Sequence, residues 1–262
     1  MKKQLLFLLL LLFSAAECYA QEIVLPIVPD RPDFTNSPDV IQPGFVQIES
    51  GIDYSFKKNN ILIPSLETYD LGIFGTVIRS GVSENLEIRF GGGYLIRDSK
   101  WGGAETNAKG ISGLMIGAKY QFLNLPEILP KAAVVIEVGL PFGSSEFKPS
   151  KAEPNIYLSL AHDITGHFSV TYNAGAQYRS SDDKFIDFYS LSLGIKAGER
   201  MNIFVEHYGL AASGIIPSFY IDAGISYLQS SNIIVDLHFG KGLKNGINEW
   251  YAGAGFTLRL PR

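Results

Sequence analysis

Cysteine is almost missing from this chain. Cys18 is the only one in 262 residues, and it falls in a stretch that reads as a removable leader. Residues 1–20 carry Lys2 and Lys3, an apolar run over 5–13, and Cys18-Tyr19-Ala20 before Gln21. This is the pattern of a secretory signal, and the run is too short for a transmembrane helix. Lipidation at Cys18 fits poorly, because Glu17 precedes it where a small residue is expected. The exported chain then has no disulfide to hold it, but its length is enough for one large domain without staples. Long apolar runs are also missing after the leader, which excludes helical membrane spans. A basic excess is missing too. Lys and Arg total 22 against 26 Asp and Glu, for a net charge of −4, so nucleic acid is not an expected partner.

What is present is a two-residue rhythm that begins near Phe45 and continues to the C-terminus. In 250–260, Trp250, Ala252, Ala254, Phe256, Leu258 and Leu260 alternate with Tyr251, Gly253, Gly255, Thr257 and Arg259. Successive side chains of a strand point to opposite faces, so one face suits an apolar medium and the other a polar one. The pattern recurs about a dozen times at the length of a tilted membrane-crossing strand. Strands are expected near 46–56, 68–78, 86–97, 112–122, 132–142, 155–163, 168–179, 186–196, 202–210, 219–227, 233–239 and 250–260. In the second, Tyr69, Leu71, Ile73 and Val77 are assigned to the apolar face, and Thr68, Asp70, Gly72 and Thr76 to the polar one. Short connections near 80–84, 123–130, 163–167, 197–201 and 228–232 alternate with longer polar ones. The longer ones lie near 57–65, 98–109, 143–154, 179–185, 210–217 and 241–248. This alternation predicts an all-β fold: a closed, antiparallel, up-and-down transmembrane barrel of about twelve strands, both termini on the periplasmic side. Closure leaves no unpaired edge in lipid. Three segments follow: a signal peptide (1–20), a proline-rich periplasmic or lumenal lead-in (21–44) with five prolines, and the barrel (45–262).

A secreted β-sandwich also alternates, but two features favour the barrel. Aromatic residues gather at strand ends on the apolar face, among them Tyr54, Phe56, Tyr94, Tyr120, Phe122, Phe142, Phe168, Tyr178, Phe219, Tyr227 and Trp250, as in the girdles at membrane interfaces. The opposite face carries charge at mid-strand. Glu49, Asp53, Asp70, Glu87, Arg89, Lys119 and Glu137 fall there in the first half of the chain. Lys196, Glu206, Asp222, Asp236, His238 and Arg259 follow in the second. These thirteen are the candidate lumen-lining residues. They either line a water-filled path or pair across a narrow interior and seal it.

One group of motifs points to a known family. Asp30-Arg31-Pro32-Asp33-Phe34-Thr35-Asn36-Ser37-Pro38, then Pro43-Gly44 and Gln47-Ile48-Glu49-Ser50-Gly51, resembles the start of the outer-membrane transporter family labelled "MetA-pathway of phenol degradation". Gly81-Val82-Ser83-Glu84-Asn85-Leu86-Glu87-Ile88-Arg89 resembles its turn and third strand. The resemblance implies an outer-membrane barrel of a Gram-negative cell, exported by the Sec route and serving passage of small organic solutes, aromatic compounds among them. The implied partners are outer-membrane lipid, the solute and the barrel-assembly machinery. One departure concerns the C-terminus: such barrels usually end on an aromatic residue, whereas this chain ends Leu260-Pro261-Arg262.

Enzymatic signatures are weak. His162, His167, His207 and His238 form no metal spacing, and no cofactor is expected. Gly91-Gly92-Gly93 lacks the Lys-Ser/Thr of a phosphate loop and lies inside a strand. A channel or facilitator is therefore the first expectation. A closed structural or adhesion barrel acting through the 98–109 and 143–154 loops is the second. A lipid hydrolase using His162 or His238 is the third.

Overall fold

Strands with two unlike faces survive in lipid only when the sheet closes on itself, because no water satisfies a free edge. A computed structural model of the protein, which describes residues 26–125 and 130–261, shows that closure. The strands are β1 (Phe45–Asn59), β2 (Leu66–Ser83), β3 (Leu86–Trp101), β4 (Ala104–Leu123), β5 (Lys131–Gly139) and β6 (Glu153–Asp163). They continue as β7 (Phe168–Arg179), β8 (Lys184–Ala197), β9 (Met201–Ala212), β10 (Ile215–Ser230), β11 (Ile233–Gly242) and β12 (Ile247–Pro261). Each pairs antiparallel with the next, and β1 closes on β12 from Phe45↔Pro261 to Asn59↔Ile247. The fold is thus an all-β, twelve-stranded barrel, with no helix among the described residues. The expected signal peptide (1–20) lies outside the described residues.

The barrel is inside-out relative to a water-soluble protein. Ile52, Ile116, Leu193 and Leu237 are exposed on its outer wall, while Gln47, Arg79, Glu87 and Lys119 have no exposed surface at all. Tyr54, Tyr94, Tyr120, Phe122, Phe168, Phe219 and Tyr227 also face outward, as expected of residues at a membrane interface. The apolar cluster inside the barrel is small: Val135, Tyr157 and Phe188, with Leu210 packed against them.

Two sequence expectations need correction. First, 98–109 is not a loop. β3 runs to Trp101 and β4 starts at Ala104, so only Gly102 and Gly103 turn the chain, both at positive φ. Likewise 213–214 alone joins β9 to β10. Strands that project beyond the membrane no longer need an apolar outer face, so by composition they resemble polar loops. Second, β2 changes phase. Its register with β1 shifts between Gly51 and Ile52, opposite Phe74-Gly75, where Phe74 holds φ 53°. Such a bulge inserts one residue and inverts the alternation beyond it. Val77, opposite Glu49, therefore faces the lumen, and Thr76 pairs with Ser50 on the outer side, their hydroxyls 2.8 Å apart.

Candidate functional site

The lumen is not empty. The proline-rich stretch cannot join a ladder, since proline lacks the donor. Instead, residues 26–44 fold back into the barrel they precede. The neck of this segment lies on β2: Pro43 bridges Gly81, where a Cβ would stand 2.2 Å from the Gln42 carbonyl oxygen. The Ile41 amide donates to Glu87 Oε2 at 2.9 Å.

Deeper in, three cations of the β2–β4 wall converge on one carboxylate of the segment. Asp30 Oδ2 lies 3.4 Å from Arg79 Nη1, 2.5 Å from Arg89 Nη1 and 2.9 Å from Lys119 Nζ. Arg79 also pairs with Glu49 and Glu87, both at 2.8 Å, and Arg89 with Glu137 at 2.9 Å. Burial alone would raise the Asp30 carboxyl. The charges of Arg79, Lys119 and Arg89 outweigh that and hold it well below the ordinary carboxylate range. Buried charges persist only when paired in this way; removing one partner of such a pair costs about 3–5 kcal/mol.

On the neighbouring β11–β1 wall the signs reverse. Arg31 reaches Asp236 at 3.2 Å and Asp53 at 3.8 Å, and His238 Nε2 lies 3.2 Å from Asp53. The guanidinium rests against bare backbone of β1 and β12. A Cβ at Gly51 would stand 2.4 Å from it, and one at Gly255 2.5 Å. Close approach is what these two glycines provide.

The tip of the segment packs on the β6–β9 wall. Phe34 stacks on Tyr208 at 4.5 Å between centroids and meets Phe188 edge-on at 5.8 Å. Its amide donates to Glu206 Oε2 at 2.7 Å. The Thr35 hydroxyl donates to Glu206 and lies 2.8 Å from Ser190 Oγ. The Asn36 amide donates to Asn173 Oδ1 at 2.7 Å, and its carbonyl accepts from Ser159 and Asn173. Ser192 donates to Asp33 at 3.0 Å, yet burial pushes that carboxyl up to about 7.

The candidate lumen residues separate by this geometry. Glu49, Glu87, Arg89, Lys119 and Glu137 build the cluster around Asp30. Asp53, Asp236 and His238 surround Arg31. Glu206 holds the tip, and Asp222 accepts from Tyr251 at 2.8 Å, next to the Tyr208–Tyr251 contact of 2.9 Å. Asp70 stands apart, in a two-pronged pair with Arg97 at 2.7 and 2.6 Å. Arg97 in turn lies 5.8 Å from the Phe147 ring of the 140–152 connection. Below that connection a cavity of about 270 Å³ is lined by Met115, Glu137, Glu153, Asn155, Gln177 and Phe147, among others. Lys196 is exposed near the end of β8, and Arg259 lies 5.4 Å from the Phe45 ring. His162 faces the other way from His238, 3.2 Å from the Tyr172 hydroxyl. The two histidines of the hydrolase reading thus share no site.

Sequence reasoning missed Arg79, because the bulge puts it in phase with the lumen just past the end of the predicted strand. It also missed the segment's own Asp30, Arg31, Phe34 and Thr35, which carry no periodic signal. Their one signal was the Asp30–Pro38 motif.

Residues 29–260 match the family described as "Putative MetA-pathway of phenol degradation". The chain belongs to this family. Solved structures share the family's barrel at low identity. An outer-membrane channel of Pseudomonas putida F1 is similar with a TM-score of 0.65 at 8% identity, over 89% of this chain and 100% of that one. The translocator domain of the autotransporter NalP from Neisseria meningitidis gives 0.59 at 9%, over 84% and 90%. The β domain of the Bordetella autotransporter BrkA gives 0.55 at 12%, over 81% and 98%. At these identities the likeness is one of fold. No curated protein matches the sequence.

Proposed function

We propose that this family member resides in the outer membrane and facilitates passage of a small organic solute, aromatic compounds included. We further propose that residues 26–44 must shift for that passage. The observation that carries this reading is how the segment is held. It is anchored by side chains and one bridge, with no strand of its own in the barrel. Its contacts are ion pairs, hydrogen bonds and the Phe34 ring packing, all to a wall that is complete without it. A polar, charged lumen of this kind selects solutes by size and charge. Swelling of liposomes containing the purified full-length protein tests the reading. Entry of at least one class of small organic solute is expected, and impermeability to every class contradicts it.

One observation favours a second reading, a closed structural barrel. The buried cluster around Asp30 is fully ion-paired, a seal rather than a path. That reading places function in the 140–152 connection, whose deletion would abolish function and leave the barrel folded.

A further inference from the structure

The lumen wall is polar and charged over most of its height, yet the ring of Phe34 meets it through aromatic rings alone. Phe34 lies nearly parallel to Tyr208, at 13°, and nearly perpendicular to Phe188, at 84°. The two wall rings therefore stand close to a right angle to each other. They form a corner, and Phe34 fills it.

The corner is braced by contacts that do not involve the segment. Tyr220, the register partner of Tyr208 on β10, stacks on it at 4.7 Å between centroids. The Tyr208 hydroxyl lies 2.9 Å from that of Tyr251, which donates to Asp222. Phe188 meets Tyr157 edge-on at 5.6 Å, with Val135 and Leu210 in the same cluster. The corner thus keeps its shape when Phe34 leaves, and a site formed in advance binds without an ordering cost.

The corner is also within reach of a solute. Tyr208 lies beyond Glu206 toward the Ala212 end of β9, and Phe188 beyond Ser190 toward the Lys184 end of β8. Both ends are opposite the one where β1 begins. Phe34 itself stays 40% exposed, so its ring is accessible from the open lumen. What the corner accepts is read from its present occupant, a flat six-membered ring. A sugar ring could stack on Tyr208, but it would turn hydroxyls against Phe188 and lose their hydration.

We infer that the corner of Tyr208 and Phe188 binds the aromatic ring of a solute, and that Phe34 is a built-in competitor for this site. A solute ring takes the place of Phe34 and draws the tip of the segment away from Glu206, which holds the Phe34 amide and the Thr35 hydroxyl. A ligand that binds only the vacated corner shifts the segment toward its undocked state. The inference rests on the solute passage proposed above and names the site where the solute acts.

The test is binding of 4-fluorophenol to the purified full-length protein in detergent, read by fluorine NMR against detergent alone. Phe34→Ala leaves the corner vacant, so it should bind the probe about fivefold or more tighter than the unmodified protein. Tyr208→Leu should lose the binding while keeping the folded mobility in unheated gel electrophoresis. Phenol should displace the probe, and cyclohexanol, of similar size but not flat, should not. If Tyr208→Leu does not fold, the unmodified protein carries the test: phenol should speed proteolysis within residues 26–44, and cyclohexanol at the same concentration should not. Binding that is unchanged or weaker in Phe34→Ala overturns the inference, as does equal displacement by the two alcohols. Liposome swelling separates this claim from solute passage. Tighter binding in Phe34→Ala without any flux contradicts passage and upholds the corner. Flux with binding indifferent to Phe34 contradicts the corner and upholds passage.

Discussion

At the scale of single residues, the lumen depends on what is small as much as on what is charged. Gly255 faces inward on β12, and the nearest atoms to its missing Cβ all belong to the Arg31 side chain. Gly255→Val should therefore displace Arg31 from Asp236 and Asp53 with little strain on the barrel wall, since a β-branched residue suits a strand. The expected result is a several-fold rise in ion conductance in planar bilayers with the folded gel mobility retained. Conductance equal to the unmodified protein would show that Arg31 does not help hold the segment. Asp33 gives the pH dependence. Its carboxyl rises from 3.8 to about 7 when the segment is docked, so the docked state prefers the neutral form. Docking carries no penalty from this group below about pH 4. It weakens as pH rises and takes the full penalty above about pH 7. Protease protection of residues 26–44 should fall across that window, and Asp33→Asn should flatten the slope. Protection that grows with pH in the Asp33 protein would contradict this.

At the scale of elements, alternation was readable wherever a strand lies between lipid and lumen. β7 shows the case well: Val170, Tyr172 and Ala174 alternate with Thr171, Asn173 and Gly175, and the strand has the ends its pattern predicts. The pattern failed where its physical cause stops. Beyond the membrane, outward residues such as Lys100 and Glu105 are as polar as inward ones, so the β3–β4 hairpin read as a loop. In β2 the failure is one of phase. Regular alternation carried Val77 to the wrong side because Phe74 and Gly75 insert a bulge that hydrophobicity does not signal. This bulge has a testable consequence. Inserting one alanine between Gly75 and Thr76 should invert the phase beyond the bulge and turn Arg79 outward, where a basic residue in lipid costs about 2–4 kcal/mol, besides depriving Asp30, Glu49 and Glu87 of their shared cation. The variant should lose most of the folded band in unheated electrophoresis. A fully folded variant would mean that β2 can take up the insertion without moving Arg79.

At the scale of the whole molecule, two levels of organisation share one lumen. The barrel follows from a repeated local rule, and that rule was legible along nearly the whole chain from Phe45 onward. The segment inside it follows from unique pairings among distant residues: Asp30 with three strands, Arg31 with two, Thr35 with two more. No period encodes such contacts, so the sequence left open whether 21–44 lies in the periplasm or the lumen. The same pairings make the account testable as a gate. Thr35 Oγ1 and Ser190 Oγ stand 2.8 Å apart, which places the Cβ atoms of Thr35→Cys and Ser190→Cys near the span of a disulfide, about 3.5–4.5 Å. The background holds one cysteine, Cys18, in the expected leader. The most direct measurement is solute flux into liposomes bearing this double variant, oxidised and then reduced. The account predicts flux blocked when the segment is tethered and restored on reduction. Flux that is substantial and equal in the two states would show that solute passes without any movement of the segment, and would contradict it.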